Sequence, residues 1–118
     1  MRDLARYGTI WVNQGVAPDG TRIFAEAWMK ENMSGKGPKI RADYRYRNQS
    51  YSNGTAIVHQ GHSGQMLWVN PSSGTIVVCF SSMTTPSGGT TWSRQAHVSM
   101  AEMIDRHLRE NKIAEGLK

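Results

Sequence analysis

The segment 61–65 places an imidazole and a hydroxyl side by side between two glycines, in the order Gly-His-Ser-Gly-Gln. This order is one residue away from the G-x-S-x-G nucleophile elbow, in which a serine at a sharp strand-to-helix turn attacks a carbonyl carbon. The fifth position is Gln65 rather than Gly, and residues 66–69 look like a strand where an elbow needs a helix. Ser63 is therefore not predicted to be an elbow nucleophile. The alternative interpretation is a glycine-rich loop with a hydrogen-bonded histidine.

A second kind of serine nucleophile is activated by a lysine one helical turn later, in the pattern Ser-x-x-Lys. No serine of this chain has a lysine three residues after it. The triplet Tyr51-Ser52-Asn53 fits the Tyr-x-Asn pattern that accompanies such a pair in some hydrolases. A three-residue pattern with a free middle position occurs often by chance, so we assign no catalytic role to it.

Metal and cofactor chemistry has no support in the sequence. Cys79 is the single cysteine, so no intrachain disulfide and no cysteine-based zinc site can form within the chain. His59 and His62 lie three residues apart without a third ligand, and the carboxylates are too scattered to suggest an acid–base pair. We therefore predict no metal and no cofactor.

The net charge of +5 is concentrated in one segment, because Lys30–Arg47 carries six positive and two negative residues. Clustered Lys and Arg residues can hold phosphate, but no nucleic-acid-binding motif accompanies them, and a solvated surface is the favoured interpretation. The longest apolar run, Ile76–Phe80, is far too short to span a bilayer. No signal peptide is visible, so the localisation is not determined beyond a cytoplasmic one if the chain is expressed as given. We expect no membrane partner, and nucleic-acid binding through Lys30–Arg47 is a third hypothesis behind the two functional ones given below.

The length of 118 residues suits one domain, covering 1–118. Apolar periodicity predicts a helix over the first fifteen residues, with Asp3 as N-cap and Gly15 as its stop, and a short helix over Ile23–Lys30.

Four runs have strand character: Tyr44–Arg47, Thr55–His59, Gln65–Val69 and Thr75–Phe80. After a polar connector, Thr84–Thr90, a last helix is predicted over Gln95–Lys112, with one face formed by His97, Met100, Ile104 and Leu108. The predicted fold class is α+β, an antiparallel sheet of three to four strands with N-terminal and C-terminal helices packed on it.

Three segments together carry a family resemblance: Arg2–Gly8, Arg22–Trp28, and the run from Gly61 through Asn70-Pro71. Their order resembles the C-terminal part of the serine β-lactamase and penicillin-binding-protein superfamily. The closest likeness is to class C β-lactamases, β-lactamase-type carboxylesterases and 6-aminohexanoate-dimer hydrolases. The resemblance covers nearly the whole chain and implies a partial β-lactamase-like fold.

This resemblance implies roles for four residues. The family hydrolyses esters or amides through an acyl-enzyme, and its third motif, often Lys-Thr-Gly, would correspond to His62, Ser63 and Gly64. The oxyanion hole of the family uses a backbone N–H just after that motif, which corresponds to Gln65. The nucleophile motif is absent, so the resemblance implies the C-terminal portion of a hydrolase that is inactive alone. A stand-alone, non-catalytic binding or structural domain derived from that fold is the alternative.

The resemblance also implies that further strands and helices complete the sheet in the whole enzyme. One sheet edge is then expected to be open, and apolar side chains are expected to lack part of their cover, namely Ile57, Leu67, Val69, Val77 and Cys79. We therefore predict a partner: a homodimer formed by edge-strand pairing or helix exchange, or a missing N-terminal catalytic chain. A small ester or amide would be the substrate of the complemented enzyme.

Overall fold

The computed structural model describes residues 1–41, 43–82 and 91–116. The helices are α1 (Arg2–Val12), α2 (Glu26–Met33) and α3 (Thr91–Gly116). The strands are β1 (Lys39–Arg41), β2 (Tyr44–Arg47), β3 (Ser50–Ser52), β4 (Ile57–Gln60), β5 (Met66–Asn70) and β6 (Thr75–Cys79). No helix within the described ranges is long and apolar enough to cross a membrane.

The strands form one antiparallel sheet in which each pairs with the next along the chain, in the order β1 to β6. The α+β class is confirmed, but the predicted count of three to four strands is wrong, because the sheet has six. The additional strands are β1 and β3, each three residues long. In β3 the buried positions are the hydroxyl residues Ser50 and Ser52, so the strand lacks the apolar alternation that marks a strand in a sequence.

The sheet carries helices on both faces, and β5 is buried on both. Leu67 and Val69 face α1 and α2, whereas Met66 and Trp68 face α3. This separation follows from the pleat, which directs successive side chains to opposite faces. A strand covered on both sides is a near-continuous apolar run, as Met66–Asn70 is.

The face covered by α1 and α2 corrects one expectation. Trp11 and Met29 pack on Ile57, Leu67 and Val69, and all of these are at most 1% exposed. The prediction that the three strand residues lack cover is therefore wrong. The aromatic side chains of α1 and the loop before α2 supply that cover.

Helix α1 ends earlier than predicted and has no side-chain cap. Asp3 lies inside the first turn, where its carboxylate pairs with Arg6 at 3.1 Å, so the predicted N-cap is wrong. Beyond Val12 the chain closes the helix with Gln14 at φ 55° and with the Gly15 N–H donating to the Ile10 carbonyl at 2.8 Å. Gly15 thus belongs to the closing turn, as a left-handed C-terminal motif requires.

Helix α2 begins three residues later than predicted and runs to Met33 rather than Lys30. The N–H groups of Ile23 and Phe24 both donate to the Gly15 carbonyl, at 2.8 and 3.1 Å. These bonds hold the chain before α2 against the end of α1, which delays the helix start.

Helix α3 is longer than the predicted Gln95–Lys112, and a different face of it packs on the sheet. Val98, Ala101 and Asp105 are buried, whereas the stripe Met100, Ile104 and Leu108 remains 38–43% exposed. The small side chain of Ala101 lets α3 pack closely on Trp68. The bulkier stripe lies to one side of this contact and stays partly exposed. The predicted connector Thr84–Thr90 lies outside the described residues.

The buried carboxylate of Asp105 ties α3 to the turn between β5 and β6. It accepts hydrogen bonds from Ser73 Oγ at 2.5 Å and from Asn70 Nδ2 at 3.1 Å, and it pairs with Arg109 Nε at 3.1 Å. Burial alone would raise the pKa of Asp105, but the hydrogen bonds from Ser73, Thr75 and Asn70 and the charge of Arg109 outweigh it and lower the pKa. The ionised form is therefore the one that the fold stabilises.

Gly8 is predicted to be intolerant of a side chain. A Cβ built there would lie 2.7 Å from Ile76 Cγ2 and 3.4 Å from Leu67 Cδ1. Gly8→Ala should lower the free energy of unfolding by about 1 kcal/mol or more through overpacking, although helix propensity alone would raise it. Denaturant unfolding gives the value, and Gly116→Ala is the matched control, because no atom lies near its Cβ position. Equal stabilisation in both variants would contradict the close approach of α1 to β6.

Asp105→Asn should destabilise the fold by about 2–3 kcal/mol, because one amide oxygen cannot replace two charged acceptors inside the protein. The Asp105 contribution is fully present above the ordinary carboxyl pKa and is lost as the pH falls through the lowered folded-state pKa. Thermal melts between neutral and acid pH measure this difference. Asp43→Asn, at an exposed site, is the control, and a similar small effect in both variants would contradict the role given to Asp105.

Candidate functional site

The segment 61–65 forms a tight turn between β4 and β5. The chain reverses direction at Ser63 and Gly64, and the Gly61 N–H donates to the Gln65 carbonyl at 2.9 Å. The side chain of His62 is exposed, that of Ser63 is half-buried, and Gly64 is buried. The four residues assigned to a site from the sequence are thus contiguous at one end of the sheet.

Ser63 holds a backbone conformation that side chains rarely adopt. Its φ is 56° and its ψ is 26°, and Gly64 follows with φ 83°. For a residue with a Cβ, the left-handed region has a cost of roughly 1 kcal/mol, so the surrounding contacts must hold it. Gly64 has no Cβ, so it adopts its own left-handed conformation without this conformational free-energy cost, which explains the glycine at that position.

Ser81, just after β6, supplies contacts that hold this turn. Its hydroxyl donates to the Ser63 carbonyl at 2.5 Å, and its own carbonyl accepts from Gln65 Nε2 at 2.5 Å. These two hydrogen bonds therefore attach the 61–65 turn to the segment that follows β6. A turn fixed in this way has its polar groups placed before any ligand arrives.

The Gln65 N–H donates to the His62 carbonyl at 3.3 Å, inside the turn. A bond of that length is at the weak end of the range for N–H···O bonds. A substrate oxygen at this amide would have to replace the His62 carbonyl as acceptor. The oxyanion role of Gln65 stays a prediction.

Two pockets of the described residues lie away from this turn. A cavity of about 70 Å³ lies between α3 and the sheet, next to Gln60. A cleft of about 380 Å³ lies at the opposite end, lined by Asn70, Ser72, Arg106 and Arg109. None of residues 61–65 lines either pocket.

Two consecutive hydrogen bonds on the face of the sheet that α3 covers link three residues that the sequence analysis did not connect. Trp68 Nε1 donates to the Tyr44 hydroxyl at 3.2 Å, and that hydroxyl donates to Glu102 Oε1 at 2.9 Å. Burial and the nearby Glu102 charge raise the pKa of Tyr44 far above its ordinary value. Tyr44 is therefore a fixed hydrogen-bond donor. The alternation of Tyr44–Arg47 indicates its burial, but no local pattern points to Glu102, 58 residues away.

His59 lies two residues before the turn, on the α1 face of the sheet. Its ring packs against Tyr7 and Trp11, with ring centroids 5.8 and 5.3 Å apart. Burial lowers the pKa of His59, and neither its Nε2 nor Trp11 Nε1 has a hydrogen-bond partner in the described structure. No group of three or more His, Cys, Asp or Glu that could hold a metal ion occurs in the described ranges.

The remaining sequence candidates have structural roles. Asn53 Oδ1 accepts from the N–H groups of Thr55 and Ala56, at 2.9 and 2.8 Å, and Ser52 Oγ accepts from the Gly54 N–H. The Tyr-x-Asn triplet thus builds the turn between β3 and β4. In the basic segment, Arg47 pairs with Glu31 and Lys30 with Glu26, and Arg45 donates to the Gly37 carbonyl. Three of the cations whose side chains the structure describes therefore have acceptors within the protein.

No known protein-family model matches the chain. The site therefore has to be interpreted from its own geometry.

His59 should make the fold sensitive to mild acid. Because burial lowers its folded-state pKa, the unfolded chain binds a proton more readily, and stability is highest above about pH 6.5. The free energy of unfolding should decline as the pH falls from there toward the lowered pKa. Denaturant unfolding of His59→Phe should show a weaker decline between about pH 7 and pH 5. His107→Phe, on the exposed side of α3, is the control, and an identical pH profile in wild type and His59→Phe would refute the prediction.

Proposed function

We propose that this chain forms one wall of the acyl-transfer site of a β-lactamase-like serine hydrolase that acts on small esters or amides. In this proposal His62, Ser63 and Gly64 occupy the third-motif position, and the turn that contains them faces the carbonyl group of the substrate. The nucleophilic serine and its lysine come from a separate or preceding segment. The chain is therefore inactive alone.

The observation that carries this proposal is the fixed geometry of the 61–65 turn. Acyl transfer develops negative charge on the carbonyl oxygen, and the Gln65 N–H would stabilise it by exchanging its weak 3.3 Å bond to the His62 carbonyl for one to the substrate. Ser81 binds both the Ser63 carbonyl and the Gln65 side chain, at 2.5 Å each. Ser63 and Gly64 both have left-handed backbone conformations, and the buried Gly64 adopts its conformation without the cost of a side chain.

The missing nucleophile motif supports the role of one wall rather than a whole site. The sequence lacks Ser-x-x-Lys. This is expected if another segment supplies the nucleophile and closes the site over the turn.

A non-catalytic domain derived from the same fold is the second candidate. It is favoured by the complete cover of β5, since both faces of that strand are buried within this chain. A chain that buries both faces of β5 has a core of its own. The two candidates differ in whether any nucleophile-bearing segment binds at the turn.

Labelling of the isolated chain with a fluorophosphonate separates an autonomous enzyme from a partial one. We expect no covalent adduct by intact mass, because an unactivated serine hydroxyl is a weak nucleophile at neutral pH. A stoichiometric adduct on Ser63 would contradict the proposal and make Ser63 itself the nucleophile.

Complementation tests the proposal directly. A polypeptide with Ser-x-x-Lys and Tyr-x-Asn motifs, encoded upstream of this chain, is co-expressed with it, and hydrolysis of a chromogenic short-chain ester is followed. In the assembled enzyme Ser63→Ala should lower kcat by on the order of tenfold or more, and Gly64→Ala should lower it further, because its φ of 83° is unfavourable for alanine. Ser72→Ala, at an exposed position in the opposite turn, is the control. Wild-type kcat in both turn variants, or no such upstream segment, would favour the non-catalytic domain.

A further inference from the structure

The two edges of the sheet differ in their protection against pairing with another chain. The β1 edge carries the charged Lys39, and the register of β1 with β2 shifts between Lys39 and Arg41. Charged side chains and an irregular register both hinder the addition of a further strand. The β1 edge is thus protected.

Within the described residues, the β6 edge has no such protection. Thr75–Cys79 contains neither a charge nor a proline, and its register with β5 is regular over all five residues. No other strand of the described residues pairs with β6. Its outer N–H and C=O groups therefore form a regular, uncharged template for strand addition.

An apolar stripe of α3 lies on the same side of the molecule as this edge. Val77 and Cys79 of β6 are only half-buried beneath α3. On the opposite flank of α3, Ser99 and Glu102 line the cavity over β2 to β4. Ile104 lies roughly 160° around the helix from Glu102, at 100° per residue, and so faces the β6 side.

The members of this stripe are spaced for a contact along the helix. Met100, Ile104 and Leu108 follow one another at intervals of four residues and are 40%, 38% and 43% exposed. In the part of the chain that the structure describes, this row of side chains and the neighbouring edge strand form an apolar surface that no other element covers. Phe80, at the end of β6, adds a side chain that is 51% exposed.

We infer that this surface, β6 with the α3 stripe, binds a second copy of the same chain. A two-fold axis normal to the sheet would place the β6 strands antiparallel and join the two sheets. The same axis brings the α3 stripes of both copies together on one face, so the strand edge and the helix stripe are buried together. An isologous contact of this kind is self-complementary, because each copy offers the same patch.

The charge distribution favours a second copy as the occupant. The net charge of +5 would oppose self-association, but four of these charges come from Lys30–Arg47, around the β1 end of the sheet. β6, Met100, Ile104 and Leu108 carry no charge, so two copies can meet there without bringing their basic segments together. Since the β1 edge is protected, assembly stops at two chains instead of continuing into a fibre.

The inference rests on the edge and the stripe and does not depend on the proposed function. It is tested by light scattering after size-exclusion chromatography, with the full 118-residue chain at micromolar concentration. We expect twice the 13.2 kDa chain mass. The double variant Ile104→Ser/Leu108→Ser should raise the dimer Kd by about a hundredfold or more, as expected when two buried apolar contacts are removed.

Ile113→Ser is the matched control, since Ile113 is 64% exposed and lies roughly 180° around α3 from Ile104. It should leave the dimer Kd unchanged. Circular dichroism checks that each variant is folded, and hydrogen exchange of residues 75–79 should be slow in the wild-type dimer and faster in the double variant. A folded wild-type monomer at these concentrations would overturn the inference. So would a dimer that the double variant leaves intact, or one in which the exchange of residues 75–79 does not respond to it.

Discussion

The burial of β5 on both faces is the constraint on which the rest of this structure depends. All five residues of Met66–Asn70 are buried, so neither α1 with α2 nor α3 can be removed without exposing one side of the strand. Gly8 is small because α1 must approach β6 closely, and Ala101 is small because α3 must approach Trp68. Two helices from opposite ends of the sequence thus pack on opposite faces of β5. This packing fixes the position of β5 and of the 61–65 turn that precedes it.

The position of the turn gives the candidate site its rigidity. Segment 61–65 leads directly into β5, and Ser81 binds it from the end of the partner strand β6. The left-handed conformation of Ser63 is therefore held by the Ser81 hydroxyl, directly before the buried strand β5. At the opposite end of the same two strands, Asp105 secures the other turn to α3, so both ends of the β5–β6 hairpin are held by specific polar contacts.

The sequence predicts best the elements whose apolar pattern is local. The β5 and β6 strands and their connecting turn have long apolar runs and a clear Asn-Pro-Ser-Ser-Gly loop, and they were placed to within a residue. β3 was missed because its buried residues are serines, whose burial depends on α2 above them. The prediction of which face of α3 packs on the sheet is also wrong. The predicted face and the observed packing face lie only about 100° apart around the helix, and the contact with Trp68 selects the observed one. For the site, the sequence pointed to residues 61–65 but gave no sign of Ser81, whose role follows from the pairing of β6 with β5.

The central claim is that the 61–65 turn faces the reacting carbonyl group in an assembled hydrolase. The most direct measurement is a crystal structure of the complemented enzyme after fluorophosphonate labelling, because the phosphonyl oxygen marks where the oxyanion develops. The account predicts that this oxygen lies about 3 Å from a backbone N–H of the turn, with Ser81 still bound to Ser63. A labelled serine whose phosphonyl oxygen points away from the turn, with residues 61–65 facing solvent, would contradict it.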